Sequence, residues 1–457
     1  VITQLFALTT AEQNIFAKRR KKLMASLPDG LAIIASGDLK IRSHDTEYPF
    51  RVSSNYFYLT GHSAAGCVLL LDTRNQTECL LVPQRNKEME LWTGEMIGKE
   101  RVNAFLGISE SINLEDWDKT ITDRLKNAKH VMFDFHASEG NTTIDQINTF
   151  LKKLSNMRKA DFKSPSAMVH LPPFIEKMRL IKSTEEIEWL QKSNHIAQVG
   201  HKLAMRSART GMHEYQLQAQ VEWAFKFQGS VSHAYEVIVA GGDHANTLHY
   251  IANRHLLKNG ELVLIDAGCE WMHMASDITR TFPVNGRFSA HQRDVYNAAL
   301  KAQHDVLGLA KSGMTLSQCH KKACHSLTQS LIDLQILKGN LNSLIEQEAW
   351  KPFYPHGTSH WLGLDVHDQC PYKDEHMQDI TLAPGMCFTV EPGLYFSSAN
   401  EKISQEWRGI GVRIEDDVVV TENGLLNLSQ NLPSTIAEIE QECQKDPIEL
   451  MKNILKD

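Results

Sequence analysis

The chain has 457 residues, 42% of them apolar and 23% charged, with a formal net charge of −7. That length exceeds what one hydrophobic core serves, so two or more domains are expected. The even composition excludes a disordered or fibrous chain, and the acidic balance argues against a nucleic-acid partner. No apolar run approaches the roughly 20 residues of a membrane span. The opening VITQLFALTT has neither a basic flank nor an apolar core, so no signal peptide is expected. Eight cysteines are scattered without framework spacing, which favours free thiols and a reducing, cytoplasmic setting.

In chain order, AEQNIFAKRRKKLMASL reads as a helix, and LAIIAS, CVLLLD, ECLLVP and HVMFDF read as buried strands. Their alternation predicts an α/β domain. A boundary is expected in HLPPFIEKMRLIKSTEEIEWL, where Pro172 and Pro173 break regular structure and Ser183 with Glu186 forms the capping box of a long helix. The domains are therefore expected at 1–174 and 175–457. Ile187, Leu190, Ile196, Val199 and Leu203 give the long helix an apolar stripe. It ends at TGM (Thr210 to Met212), and a second helix carrying Leu217, Val221 and Phe225 on one face leads into strands. The order then repeats: a helix capped near Ser289, SGM (Ser312 to Met314), a second helix, strands. Two such copies predict a pseudo-symmetric domain. CHKKACH (Cys319 to His325) invites a metal, but Cys319, Ala323, Leu327 and Leu331 recur as the buried stripe of a helix.

Acidic residues stand inside several of the later strands. ELVLIDAGCEWMHMASDITRTFPV carries Asp266 and Asp277, CFTVEPGLYF carries Glu391, and GVRIEDDVVV carries Glu415. Burying an unpaired acid is costly. A solvated strand face accounts for any one of them alone; four in four strands ask for a shared counter-charge. The strands supply few basic residues beyond Arg280 and Arg413. Two divalent cations would balance the four carboxylates. Oxygen-rich ligation with one imidazole suits Mn²⁺, with Zn²⁺, Co²⁺ or Fe²⁺ as alternatives. Such a pair polarises a carbonyl and makes the attacking water more acidic.

HGTSHWLGLDVHD crowds three histidines, His356, His360 and His367, into one segment. Gly357 stands where a helical zinc motif needs Glu, and Thr358 and Gly363 disfavour a helix. By spacing alone these rings are free to hold a metal, handle protons or pack.

IDAGCE, DITRTFPVNG, HGTSHWLGLDVHD, TVEPGLY and RGIGVRIEDD together make the chain resemble the proline-specific aminopeptidases of the pita-bread metallopeptidase family, above all its aminopeptidase P branch. DTEYPFRVSSNYFYLTG carries the resemblance into the amino-terminal half, so nearly the whole chain is covered. It implies a creatinase/prolidase-like α/β domain followed by a pseudo-symmetric pita-bread catalytic domain. It also implies a dinuclear site of Asp266, Asp277, His360, Glu391 and Glu415, with Asp277 and Glu415 shared between the ions. By the same resemblance Glu391 handles the proton, His249 and His367 contact the substrate carbonyl, and His356 lines the proline pocket. Arg413, Tyr395 and Trp92 are implied substrate contacts, Trp92 from a segment that reaches a neighbouring subunit. An ion pair is an equal reading for Arg413. The implied reaction releases the first residue of peptides with proline second, and homodimers or homotetramers are implied. Ser276 and Thr184 depart from the family's usual glycine and proline. Prolidase, which cleaves only dipeptides, and a non-enzymatic peptide-binding protein on the same fold are the competing readings; Trp361 and Asp365 lean towards the aminopeptidase.

Overall fold

The computed structural model describes residues 7–137, 142–157 and 161–456, so the first six residues of the opening stretch lie outside them. It divides into two compact units, Val1–Met178 and Arg179–Asp457.

The first unit is built on a mixed six-stranded sheet. Its strand order is Glu110–Asn113, Thr77–Val82, Val68–Asp72, Gly30–Ala35, His130–Phe133 and Ala167–His170. The four apolar runs read as strands form its centre because helices cover both faces, so side chains pointing either way are buried. Gly30–Ala35 pairs antiparallel with Val68–Asp72 and parallel with His130–Phe133. The helix Thr10–Ser26 opens on a Thr9–Glu12 capping box and buries Phe16, Leu23 and Arg20. The Arg20 guanidinium is held by Glu78 at 2.6 Å.

In the second unit the helix Thr184–Ser207 starts at the Ser183–Glu186 capping box, as the sequence predicts. Its buried face differs from the expected stripe. Leu190, Ile196 and Leu203 are buried, but Ile187 and Val199 are only half-covered, while Asn194, Gln198 and His201 are buried beside them. The helix lies over strand ends that need donors. Asn194 gives a hydrogen bond to Asp417 at 2.9 Å, Gln198 to the Leu428 carbonyl at 2.9 Å, and His201 to the Ala267 carbonyl at 3.0 Å.

The repeated order is present. Helices Thr184–Ser207 and Glu214–Phe227 precede an antiparallel sheet of Ile238–Gly241, Leu262–Asp266 and Thr279–Pro283. Helices Ala290–Leu309 and Leu316–Asp333 precede another, of Cys387–Val390, Asp416–Thr421 and Gly424–Asn427. Cys319, Ala323, Leu327 and Leu331 are fully buried, the stripe expected of CHKKACH. Gly393–Phe396 pairs with Ile410–Arg413. A backbone bridge between Thr279 and Glu415 stitches the two halves, the Glu415 N–H reaching the Thr279 carbonyl at 3.1 Å. One continuous apolar cluster underlies all four helices. No described helix is long and apolar enough to cross a membrane.

Candidate metal centre

The register of the strands explains why distant acids meet. Asp266 lies opposite Thr279 across the antiparallel pair, and side chains alternate along a strand, so Asp277, Thr279 and Asp266 point to one face. The hairpin can close that tightly because residue 268 is glycine: a Cβ there would sit 1.6 Å from the Ser276 carbonyl oxygen. Glu415 bridges Thr279, so it and Arg413, two residues back, share this face. Its carboxylate accepts the Thr279 hydroxyl at 2.7 Å. Glu391 and His360 arrive on a second ladder, in which the Thr389 N–H reaches the His360 carbonyl at 3.0 Å and the Glu391 N–H the Thr358 carbonyl at 2.9 Å. HGTSHWLGLDVHD forms no helix. Its far end is pinned by Asp368, buried between Arg179 and Lys182, with Asp365 also on Arg179 at 2.6 Å.

The donors converge. One oxygen each of Asp277 and Glu415 and a ring nitrogen of His360 lie within 4.8 Å of one another. His360 Nε2 is 3.3 Å from Asp277 and 3.8 Å from Glu391. Its Nδ1 donates to the Trp361 carbonyl at 3.1 Å, which turns Nε2 towards the acids. Burial pushes the carboxyls of Asp277, Glu391 and Glu415 up, and neighbouring acids add to it. Burial pulls His360 down, but Asp277 and Glu391 lift it to about 9. Asp277, Glu391 and Glu415 are thus crowded acids whose charge the His360 ring and the Arg413 guanidinium offset only in part, a place where a cation would serve them better. The Tyr235 phenol carries one proton yet stands 2.5 Å from both Asp266 and Asp277. The residues present fit divalent metal ions.

The expected substrate residues line the same cavity of about 370 Å³: His249, His356, His367 and Arg413 with all five candidate ligands, and the apolar Ile238, Leu248, Ile251 and Val366. His356 is driven down to about 3 by burial and by Arg413. Neutral, it donates from Nδ1 to the Gly357 carbonyl at 2.7 Å and accepts the Tyr395 hydroxyl at Nε2, 2.8 Å away. Arg413 donates to that hydroxyl at 3.0 Å and to Asp266 at 2.5 Å. The ion-pair reading of Arg413 is therefore the arrangement seen. His367 lies edge-on to His360 with ring centres 4.4 Å apart, and burial, then His360, lowers its pKa. Trp92 lies in the first unit, 85% exposed on the helix Lys87–Thr93.

Tyr235 and Thr279 escaped the sequence reading. So did Asp417, a fully buried acid that accepts the Asp277 N–H at 2.8 Å. For Tyr235 the available signal was a phenol at the edge of an apolar strand, a group that seeks a polar partner when buried.

Comparison with known proteins agrees with this geometry. Residues 188–422 match the metallopeptidase family M24, and residues 16–133 match the aminopeptidase P, N-terminal domain. The Xaa-Pro aminopeptidase of Haemophilus influenzae is 37% identical over 93% of this chain and 96% of its own length. The structure of Pseudomonas aeruginosa aminopeptidase PepP superposes with a TM-score of 0.91 at 34% identity, covering 97% of this chain and 99% of that one. A zinc-substituted Escherichia coli aminopeptidase P in complex with product gives 0.91 at 35% identity, over 94% and 98%. With two-unit architecture, pita-bread half and acid-rich centre all in place, the chain belongs to metallopeptidase family M24 and carries that family's aminopeptidase P N-terminal domain ahead of it.

Proposed function

We propose that this protein is an Xaa-Pro aminopeptidase, hydrolysing the bond between an amino-terminal residue and a following proline with the help of divalent metal ions. The observation that carries this reading is the meeting of Asp266, Asp277, His360, Glu391 and Glu415 with His249, His356 and His367 on one cavity, in a chain matched over 93% of its length by relatives of that name.

Those five residues would hold two divalent cations; Mn²⁺ suits the oxygen-rich set. Bound there, the ions supply Lewis-acid charge to the scissile carbonyl and acidify the attacking water. Glu391 takes the proton of that water and passes it to the leaving proline nitrogen. His249 and His367 donate to the carbonyl oxygen as charge gathers on it. Neutral His356, held by Tyr395, walls the pocket for the pyrrolidine ring. Arg413 anchors Asp266 and Tyr395, so its contribution to substrate binding passes through them. The scissile nitrogen of an Xaa-Pro bond bears no hydrogen, so this site has no donor to satisfy there.

Exposed Leu91 and Trp92, at 86% and 85%, support assembly into homodimers or homotetramers through the first unit. Eight free, buried cysteines support a reducing compartment such as the cytoplasm.

The test is an equimolar mixture of Ala-Pro-Ala, Ala-Pro and Ala-Ala-Ala given to Mn²⁺-loaded protein, with products identified by mass spectrometry. Release of Ala and Pro-Ala from the first, well ahead of the others, is the expected result. Cleavage of Ala-Pro alone would make the protein a prolidase; no cleavage at all would favour a peptide-binding protein on this fold.

A further inference from the structure

The segment from Gly241 to His255 brings Leu248, His249 and Ile251 to the cavity. Apart from Gly241, which ends the strand Ile238–Gly241, and the short turn Gly242–Asn246, it has no regular structure of its own. A loop that must aim a ring at a reacting carbonyl has to be held by something else.

One side chain does most of the holding. Glu214, in the first turn of the helix Glu214–Phe227, is fully buried. One of its oxygens accepts the Gly241 N–H at 2.7 Å and lies 3.4 Å from His244 Nδ1. The other accepts the His255 N–H at 2.7 Å and the Tyr250 hydroxyl at 2.9 Å. Both ends of the loop and the residue next to His249 are thereby tied to one carboxylate. The packing around it is close. A methyl group at Gly241 would sit 2.5 Å from Leu257, and the His244 ring stacks on Tyr250 with centres 4.4 Å apart. Asn253, at a φ of 49°, pegs the same loop from within, accepting the Val239 N–H at 3.0 Å and donating to the Val237 carbonyl at 2.7 Å.

We propose that Glu214 is a positioning residue for the peptidase reaction, gathering Gly241, Tyr250 and His255 so that His249 is held at the cavity. The inference rests on the reading of His249 as a contact of the substrate carbonyl. A carboxylate is suited to the place because backbone N–H groups, which can only donate, face both of its oxygens. A glutamine there presents its NH₂ to one of them whichever way it turns, and leaves buried donors unpaired. The helix beneath keeps Leu217, Val221 and Phe225 in the core, so the loss falls on the loop.

The test is a double-mutant cycle on Mn²⁺-loaded protein with Ala-Pro-Ala: wild type, Glu214→Gln, His249→Ala and the double variant. The expected result is a loss of tenfold or more in kcat/KM for Glu214→Gln, carried by kcat, with the double variant within twofold of His249→Ala alone. A Glu214→Gln variant within twofold of wild type overturns the proposal, and so does the same fold-loss in both backgrounds. Should Glu214→Gln fail to fold, Tyr250→Phe removes one donor and leaves the backbone pairs intact. The same cycle with it is expected to show a two- to fivefold loss that vanishes when His249 is absent; an equal loss without His249 overturns the proposal. Wild-type turnover in His249→Ala overturns the reading of His249 along with this inference, whereas an impaired His249→Ala with additive losses overturns this inference alone.

Discussion

Glu391 is asked both to bind a cation and to move a proton. It stands 3.8 Å from His360 and 3.5 Å from His356, so it has neighbours for both tasks. Substitution by Gln keeps its shape and removes its basicity. Turnover of Ala-Pro-Ala is expected to fall by about 10²–10⁴-fold, while the melting temperature of the metal-free protein changes little; turnover within tenfold of wild type would remove the proton role.

Asp368 gives a stability prediction with a definite sign. Burial alone would raise its carboxyl, but Lys182 and Arg179 hold it at about 2. Since the folded value lies below the unfolded one of about 3.9, its stabilisation is complete above that value and drains away as pH falls towards 2. The amount is about 2–3 kcal/mol. Urea unfolding across this acid range should show the slope in wild type and lose it in Asp368→Asn, which takes the buried carboxylate away from Lys182 and Arg179 and is also less stable at neutral pH.

At this scale the sequence is readable where a residue contradicts its surroundings. Asp266 ends an apolar strand, and Asp277, Glu391 and Glu415 stand one or two residues outside others rather than within them; acids set in such apolar runs betray themselves by their oddity. Tyr235 and Glu214 contradict nothing locally. The partners of Tyr235 lie 31 and 42 positions along the chain, and those of Glu214 lie on a loop whose course no short window encodes.

Among the elements, strands made of uninterrupted apolar runs and helices announced by capping boxes stand where their sequences put them. The helix Thr184–Ser207 is the instructive exception, because hydrophobicity marks only its apolar stripe and the folded helix also buries amide and imidazole groups. Those groups answer a demand made by Asp417 and by strand-end carbonyls, which appears only on folding. The capping box itself can be tested: the Ser183 hydroxyl oxygen accepts the Glu186 N–H at 3.4 Å, and the Glu186 carboxylate accepts the Ser183 N–H at 2.9 Å. Ser183→Ala should cost about 1 kcal/mol in chemical denaturation. A neutral result would mean that packing alone fixes this helix start.

For the molecule as a whole, the repeated order of elements was legible as a repeat, and a site drawing residues from both halves was expected from it; the backbone bridge by which the halves join was not, since periodicity says nothing of how two sheets meet. An acid-rich centre shared by two halves should couple metal content to stability. Exhaustive chelation is expected to abolish peptidase activity and to lower the melting temperature. Mn²⁺ at a hundredfold excess over its dissociation constant would restore about 2.7 kcal/mol. Unchanged activity after chelation would end the metal reading.

The stitch between Thr279 and Glu415 joins the halves through the backbone of a candidate ligand. The amide hydrogen of Glu415 can leave for solvent only when that stitch opens, and a cation holding the Glu415 side chain opposes the opening. Its exchange with deuterium should therefore slow as the site fills. One backbone hydrogen would then serve as an occupancy gauge that needs neither substrate nor turnover.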